Sequence, residues 1–290
     1  MRSFLVRQIV SLVVGVLGAV LIAAVISAIG EPRAPGVWPF LVAAGSRLVH
    51  FLEGDFGQSA ITGTSALHVL GHRLPPTLTL LAEGAALAVA VGLPLGLLFS
   101  LGAARRATAP LMQIITATPV FCAGLALAWG AVNLLHWPVS VNMPVGAAVS
   151  PDEALQIDAL PIVTVGLAGA AAVQLALRRA ASQAGGESFR AGLKSLGLGG
   201  FEIERVFVVP QVLAGLAASA GEIMLALLSA TVVTEWVFHR SGAADLFVKS
   251  VALADWNIVA IILFVFAGLT FVAEFIGRIA GRALASEGRP

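Results

Sequence analysis

Residues 9–29 read IVSLVVGVLGAVLIAAVISAI and contain no charged side chain. A bilayer core about 30 Å thick is crossed by roughly 20 apolar residues in a helix, because a helix satisfies its own backbone hydrogen bonds. Arg2 and Arg7 precede this run. It is also longer than the apolar part of a signal peptide, which is about 7–15 residues. We therefore predict a retained membrane span.

The whole chain shares this apolar character. Its 290 residues are 58% hydrophobic and 11% charged, whereas about a quarter of a soluble protein is charged. The net charge of +1 argues against a nucleic-acid partner, which calls for a clear basic excess. The single cysteine, Cys122, excludes an internal disulfide and a cysteine metal site, and we expect it to be a small buried residue.

Five further segments are long and apolar enough to span a membrane. They are residues 77–103, 111–135, 160–177, 211–233 and 258–278. Twelve of the 17 Lys and Arg residues then fall on cytoplasmic segments if both termini lie inside, as the positive-inside rule requires. The sequence therefore predicts an all-α polytopic membrane protein with six transmembrane helices, in which residues 1–290 form one transmembrane domain that binds membrane lipid.

Two loops carry local structure. The outer loop, residues 30–76, includes an amphipathic pattern over Val37–Leu52 and a glycine-rich turn cluster, GDFGQS, at residues 54–59. The cytoplasmic loop, residues 178–210, includes FRAGLKSLGLGGFEIERVFVVP at residues 189–210. This polar segment stands between two apolar spans, and we predict that it docks a partner protein.

The sequence lacks the common motifs for nucleotide binding, metal binding and nucleophilic catalysis. It contains no GxxxxGK[ST] loop for ATP, no HExxH metal motif and no GxSxG nucleophile motif. His68 and His72 lie four residues apart, without a third ligand at metal-binding spacing. The sequence therefore predicts neither an enzyme nor a metal site.

Three carboxylates interrupt the apolar spans: Glu83, Glu222 and Glu274. A carboxylate inside a bilayer costs a few kcal/mol, so each is a functional hypothesis. They either line a solute pathway or bind protons or ions in a secondary transporter driven by an ion gradient. Glu83 and Glu274 lie near a membrane face, whereas Glu222 is predicted to lie deepest. A membrane scaffold without transport activity is a third interpretation.

Seven short motifs occur in order along the chain. They are GDFGQS at 54–59, HRLPPTL at 72–78, GLPLG at 92–96, TPVF at 118–121, LP at 160–161, EWVF at 235–238 and DW at 255–256. In order and spacing they resemble the permease subunits of bacterial ABC importers, in the dipeptide/oligopeptide/nickel permease family. The resemblance extends along nearly the whole chain.

This resemblance implies the type I ABC importer permease fold in the bacterial inner membrane. It implies a pathway for a small solute, such as a peptide, that works by alternating access. It also implies two ATPase subunits that bind ATP, a homologous second permease and a solute-binding protein, with no cofactor in this chain. The pathway candidates are Glu222, Glu83, Pro119 and Glu235.

The resemblance also implies a coupling helix at residues 189–196, which sits in a cleft of an ATPase subunit and is ended by a turn at Gly197. The implied coupling residues are Phe189, Arg190, Ala191, Leu193, Lys194, Ser195, Gly197 and Leu198. The sequence departs from the family pattern here, with LKSLG at 193–197 where the family has ARAxG. It departs again after EWVF, with HRSGAA at 239–244 in place of GLPGLG.

Overall fold

The computed structural model describes residues 2–30, 36–100, 118–136, 151–184 and 187–287. Within these ranges the chain is helical, with one isolated bridge between Gln58 and Ser65. The helices are α1 (Arg2–Ile29), α2 (Val37–Leu52), α3 (Ala66–Ser100), α4 (Val120–Gly130), α5 (Pro151–Ala184), α6 (Glu187–Ser195), α7 (Val209–Ala218), α8 (Ala220–Val237), α9 (Ala243–Ala252) and α10 (Trp256–Glu287). The all-α prediction is confirmed.

Five of these helices are long and apolar enough to cross a membrane: α1, α3, α5, α8 and α10. Helix α4 is also apolar but shorter, and a π-helical turn prolongs it over Ala131–Leu135. Residues 111–117 of the predicted third span lie outside the described residues, as do residues 101–103 of the second. The polytopic helical fold agrees with the prediction.

Helix α3 begins well before the predicted second span. One face of its first turns is buried, because Ala66 and Leu70 pack with Ala243, Ile258 and Ile262 of α9 and α10. Burial against neighbouring helices stabilises a helix more than its own sequence does. The predicted outer loop, residues 30–76, therefore ends in a helix.

Helices α3 and α5 approach closely because glycines line their contact. A Cβ atom at Gly84 would overlap Val165, and one at Gly96 would overlap Leu177. Small residues at such positions let two helix backbones pack together within a membrane. A buried cluster joins this pair to α8. These three helices form the centre of the described fold.

Helices α1 and α2 pack at one side of this centre. Val20 and Ala24 of α1 form a buried cluster with Phe51 of α2 and Ala260 of α10. Helix α2 has the predicted bounds and is amphipathic, with Phe51 buried and Trp38 75% exposed. The predicted amphipathic helix is therefore confirmed.

The predicted fifth span is divided in two. Ser219, with φ −89° and ψ 10°, separates α7 from α8. Its hydroxyl donates a hydrogen bond to the Gly215 carbonyl, 3.1 Å away, and such local bonds compete with the regular helix. Before α7 the chain is π-helical over Ile203–Val208. The break places Glu222 in the first turn of α8.

Candidate coupling loop and translocation cavity

Helix α6 occupies most of the predicted coupling segment. Arg190 forms an ion pair with Glu204, with Nη2 and Oε1 3.0 Å apart, and neither side chain is more than about one-third exposed. Leu193 packs against the inner core cluster, which contains Leu177 of α5 and Val208. Phe189 belongs to the helix, but its side chain lies outside the described part of the structure. Helix α6 is therefore fastened to α5 and to the π-helical turn.

The helix ends in the turn that the family resemblance implies. Gly197 has φ +89°, a conformation that glycine adopts without the penalty of a Cβ atom. Its N–H donates to the Lys194 carbonyl at 3.0 Å, and the Leu198 N–H donates to the Leu193 carbonyl at 3.3 Å. These two bonds make a Schellman motif. The geometry is present, while docking on an ATPase stays a prediction.

Large apolar side chains are exposed on the described part of this loop. Leu196 is 78% exposed and Phe201 is 80% exposed. The predicted coupling residues Ala191, Lys194 and Ser195 are exposed beside them. Leu196 lies within the predicted coupling helix but was not among the predicted coupling residues, and neither was Phe201, although a large apolar residue inside a polar segment is the signal that marks both.

A cavity of about 520 Å³ lies between α4, α5 and α8. Its lining includes Thr118, Ala123, Thr164, Ala168, Ala172 and Ser229. The Thr164 hydroxyl donates to the Leu160 carbonyl and the Ser229 hydroxyl to the Leu225 carbonyl, both at 2.8 Å. Their oxygen lone pairs stay available to accept hydrogen bonds. The cavity thus offers small side chains and a few acceptors to a solute.

This lining was not predicted from the sequence. Thr164, Ala168 and Ala172 recur at helical spacing along α5, and that period was the available signal. Hydropathy measures how apolar a segment is, whereas a cavity depends on which small side chains face the same space.

The structure does not bring the four predicted pathway residues together. Pro119 follows Thr118 of the cavity, and Glu83 lies exposed on α3. Glu222 forms an ion pair with Arg179 of α5, at 2.6 Å between Oε2 and Nη1, and both side chains are more than half exposed. Glu222 thus lies in the first turn of α8, whereas the sequence placed it deepest within a span. A pathway role for these residues stays a prediction.

The fourth residue, Glu235, is fully buried in a hydrogen-bond network. Thr77 Oγ1 donates to Glu235 Oε1 at 2.7 Å, and the Asp245 N–H donates to Oε2 at 2.9 Å. The Ala243 N–H donates to Thr77 Oγ1 at 2.7 Å. A carboxylate at the N-terminus of a helix, here α9, is stabilised by the helix dipole. The motifs HRLPPTL and EWVF therefore meet in one junction between α3, α8 and α9.

Residues 88–286 match the family model described as binding-protein-dependent transport system inner membrane component. This match covers more than half of the chain. The chain belongs to this family.

A relative of the permease comes from Sinorhizobium fredii (strain NBRC 101917 / NGR234) and is described as probable peptide ABC transporter permease protein y4tP. It is 27% identical over 222 residues, which cover 75% of this chain and 70% of that protein. The predicted resemblance to ABC importer permeases is confirmed by these two matches.

Family membership identifies the chain as a multi-pass membrane permease. The matched range contains α6, Gly197, the cavity between α4, α5 and α8, and Glu235. Helices α1 and α2 and the GDFGQS motif precede it. The features that carry the permease interpretation therefore lie within the matched part of the chain.

Proposed function

We propose that this permease is the membrane-spanning subunit of an ATP-driven importer in the bacterial inner membrane, with residues 1–290 as one transmembrane domain. Solute crosses by alternating access along the cavity between α4, α5 and α8. The relative described as a probable peptide transporter supports a peptide or a similar small molecule as cargo.

The observation that carries the proposal is the loop from α6 to Phe201. Leu196 and Phe201 are exposed large apolar side chains beside a short, fixed helix. Leu193 and Leu198 anchor this helix on a cluster that contains residues of α5 and α7. A force applied to α6 by a bound subunit is therefore transmitted to two neighbouring helices. An ATPase subunit fits this role, since the chain has no phosphate-binding loop of its own.

The family also supports further partners, which belong to the same proposal. Two ATPase subunits bind the ATP, so the chain holds no cofactor. A homologous second permease completes the pathway, and a solute-binding protein delivers cargo to the outer face.

Replacing both Leu196 and Phe201 by Ala is expected to weaken the association with the ATPase at least about tenfold, because burial of each side chain contributes about 1.5–3 kcal/mol. Both residues are exposed, so the fold should be unchanged. Co-purification of the ATPase and solute-stimulated ATP hydrolysis in proteoliposomes measure the effect. Leu253→Ala, at a residue 62% exposed on the outer side, is the matched control. An ATPase that binds both variants equally well would contradict the proposal.

Ala172→Phe is expected to abolish most solute uptake by filling the cavity. Since Ala172 lines open space, the ATPase should still co-purify with this variant. Ala90→Phe, which adds the same side chain at an exposed position of α3, should leave uptake near the wild-type level. ATP-driven uptake of a radiolabelled peptide into proteoliposomes that contain the assembled importer and its solute-binding protein is the measurement, and normal uptake by the Ala172 variant would rule out this pathway.

The geometry does not favour an ion-gradient-driven secondary transporter that uses intramembrane carboxylates. Glu222 is in an ion pair with Arg179, and Glu274 is in one with Arg278. Neither residue is among the described residues that line the cavity between α4, α5 and α8. A scaffold without transport activity does not explain the large cavity.

A further inference from the structure

A second cavity, of about 130 Å³, lies at the outer ends of α1 and α10. Ser27, Arg47, Ala60, Asp255, Trp256 and Asn257 line it. It shares no described lining residue with the translocation cavity. The space exceeds that of a single water molecule, about 30 Å³ in the liquid.

Asp255 gives this cavity an unusual acceptor. The residue is 1% exposed, and its Oδ2 accepts a hydrogen bond from Ser59 Oγ of the GDFGQS motif at 2.5 Å. Its Oδ1 is also buried but has no hydrogen-bond partner among the described residues. A buried carboxylate oxygen without a donor is costly. A ligand that supplies a positively charged N–H group would remove that cost.

The backbone before Asp255 is held in a rarely used conformation. Ala254 has φ +56°, which is uncommon for a residue with a Cβ atom. Such strain persists only where the surroundings impose it, and it is frequent at binding sites. Ala254 is itself part of the cavity wall. The turn thus places Asp255 at the cavity, and the backbone of Ala254 is strained as a result.

Other groups at the cavity favour negative charge. Arg47 contributes a guanidinium, which binds carboxylates and phosphates well. Helix α10 begins at Trp256, and the first N–H groups of a helix lack partners within it and attract anions. The cavity therefore combines an acceptor for a cation with donors for an anion.

The walls that hold these groups are fixed. Asn257 Oδ1 accepts from Ser27 Oγ at 2.5 Å, and Asn257 Nδ2 donates to the Gln58 carbonyl at 2.8 Å. A Cβ atom at Gly57 would lie 2.9 Å from Arg47 Nη1, so the glycine of the motif lets the loop close on Arg47. The site is built by four segments of the chain: α1, α2, the loop that follows α2 and the turn at the start of α10.

We propose that this cavity binds a small zwitterion, a molecule with a primary ammonium a few bonds from an anionic group. The ammonium donates to Asp255 Oδ1, and the anion faces Arg47 and the start of α10. A free α-amino acid and the headgroup of phosphatidylethanolamine both have this chemistry. The inference does not depend on the cargo or on ATPase coupling.

Binding of tritiated L-alanine to the chain in phosphatidylcholine nanodiscs tests whether the ligand is a free amino acid. Asp255→Asn keeps the acceptor for Ser59 but replaces a charged oxygen by an amide, and it should weaken binding about tenfold or more. Ala60→Phe fills the cavity from an exposed position and should also abolish binding. Asp158→Asn removes the same charge at an outer residue that pairs with Arg240 and should leave binding unchanged.

Native mass spectrometry of the chain extracted from membranes rich in phosphatidylethanolamine tests whether the ligand is the headgroup of this lipid. If the wild type and Asp158→Asn retain this lipid and the Asp255 and Ala60 variants lose it, the lipid is the ligand of the cavity. Saturable alanine binding with the same variant pattern supports the amino acid. The proposal is overturned if neither ligand binds, or if the Asp255 and Asp158 variants behave alike.

Discussion

Gly277→Ala is expected to destabilise the protein by about 1–3 kcal/mol, because overpacking a close contact costs this much. A Cβ atom at Gly277 of α10 would overlap the main-chain oxygen of Ala217 and the Cβ of Ala220. A main-chain oxygen cannot rotate away as the end of a side chain can. Helix α10 would have to move away from α7 and α8.

Gly268→Ala in the same helix is the matched control. No atom lies within 4 Å of a Cβ placed at Gly268, and Ala favours a helix over Gly by about 1 kcal/mol. Its melting midpoint, measured by fluorescence-detected size-exclusion chromatography in detergent, should be unchanged or slightly raised. Equal losses in the two variants would show that the packing of α10 on α7 is not the cause.

Glu235→Ala is expected to have a comparably large effect on stability. It leaves the Asp245 N–H and the Thr77 hydroxyl without their acceptor in a buried site, and each unsatisfied group costs about 1–3 kcal/mol. Removal of the carboxylate also leaves a cavity beside Gly242, whose missing side chain makes room for it. The junction between α3, α8 and α9 should loosen.

Two further variants separate this effect from simple loss of charge. Glu235→Gln keeps the shape and one acceptor oxygen, and it should cost less than Glu235→Ala. Glu222→Ala breaks an exposed ion pair, which contributes about 1 kcal/mol or less. The same melting assay applies, and similar losses for the alanine variants at positions 235 and 222 would refute a structural role for the buried network.

Features encoded in short segments were predictable from the sequence. The length and hydropathy of each apolar run determine whether it can span a bilayer, as with residues 9–29. Helix α2 follows from the spacing of its apolar residues, and the turn at Gly197 was implied by the resemblance of this loop to the family pattern. Each depends on neighbours in sequence, so no tertiary contact was needed.

Features that depend on distant contacts were not predictable in this way. Thr77 and Glu235 are 158 positions apart, and their motifs show no local sign that they meet. The break at Ser219 and the early start of α3 result from packing and local hydrogen bonds. Cys122 was expected to be buried but is exposed, since an apolar sequence does not specify which face of a helix meets another helix.

The hydrogen bonds at Thr77 restrict which residues can replace it. Its oxygen donates one hydrogen bond to Glu235 and accepts another from the Ala243 N–H. Only a hydroxyl combines a donor and an acceptor on one small atom. Val has nearly the same shape as Thr, but its side chain can neither donate nor accept a hydrogen bond. Serine is therefore the one natural exchange compatible with the junction, and natural variation at position 77 should be limited to these two residues wherever Glu235 is kept.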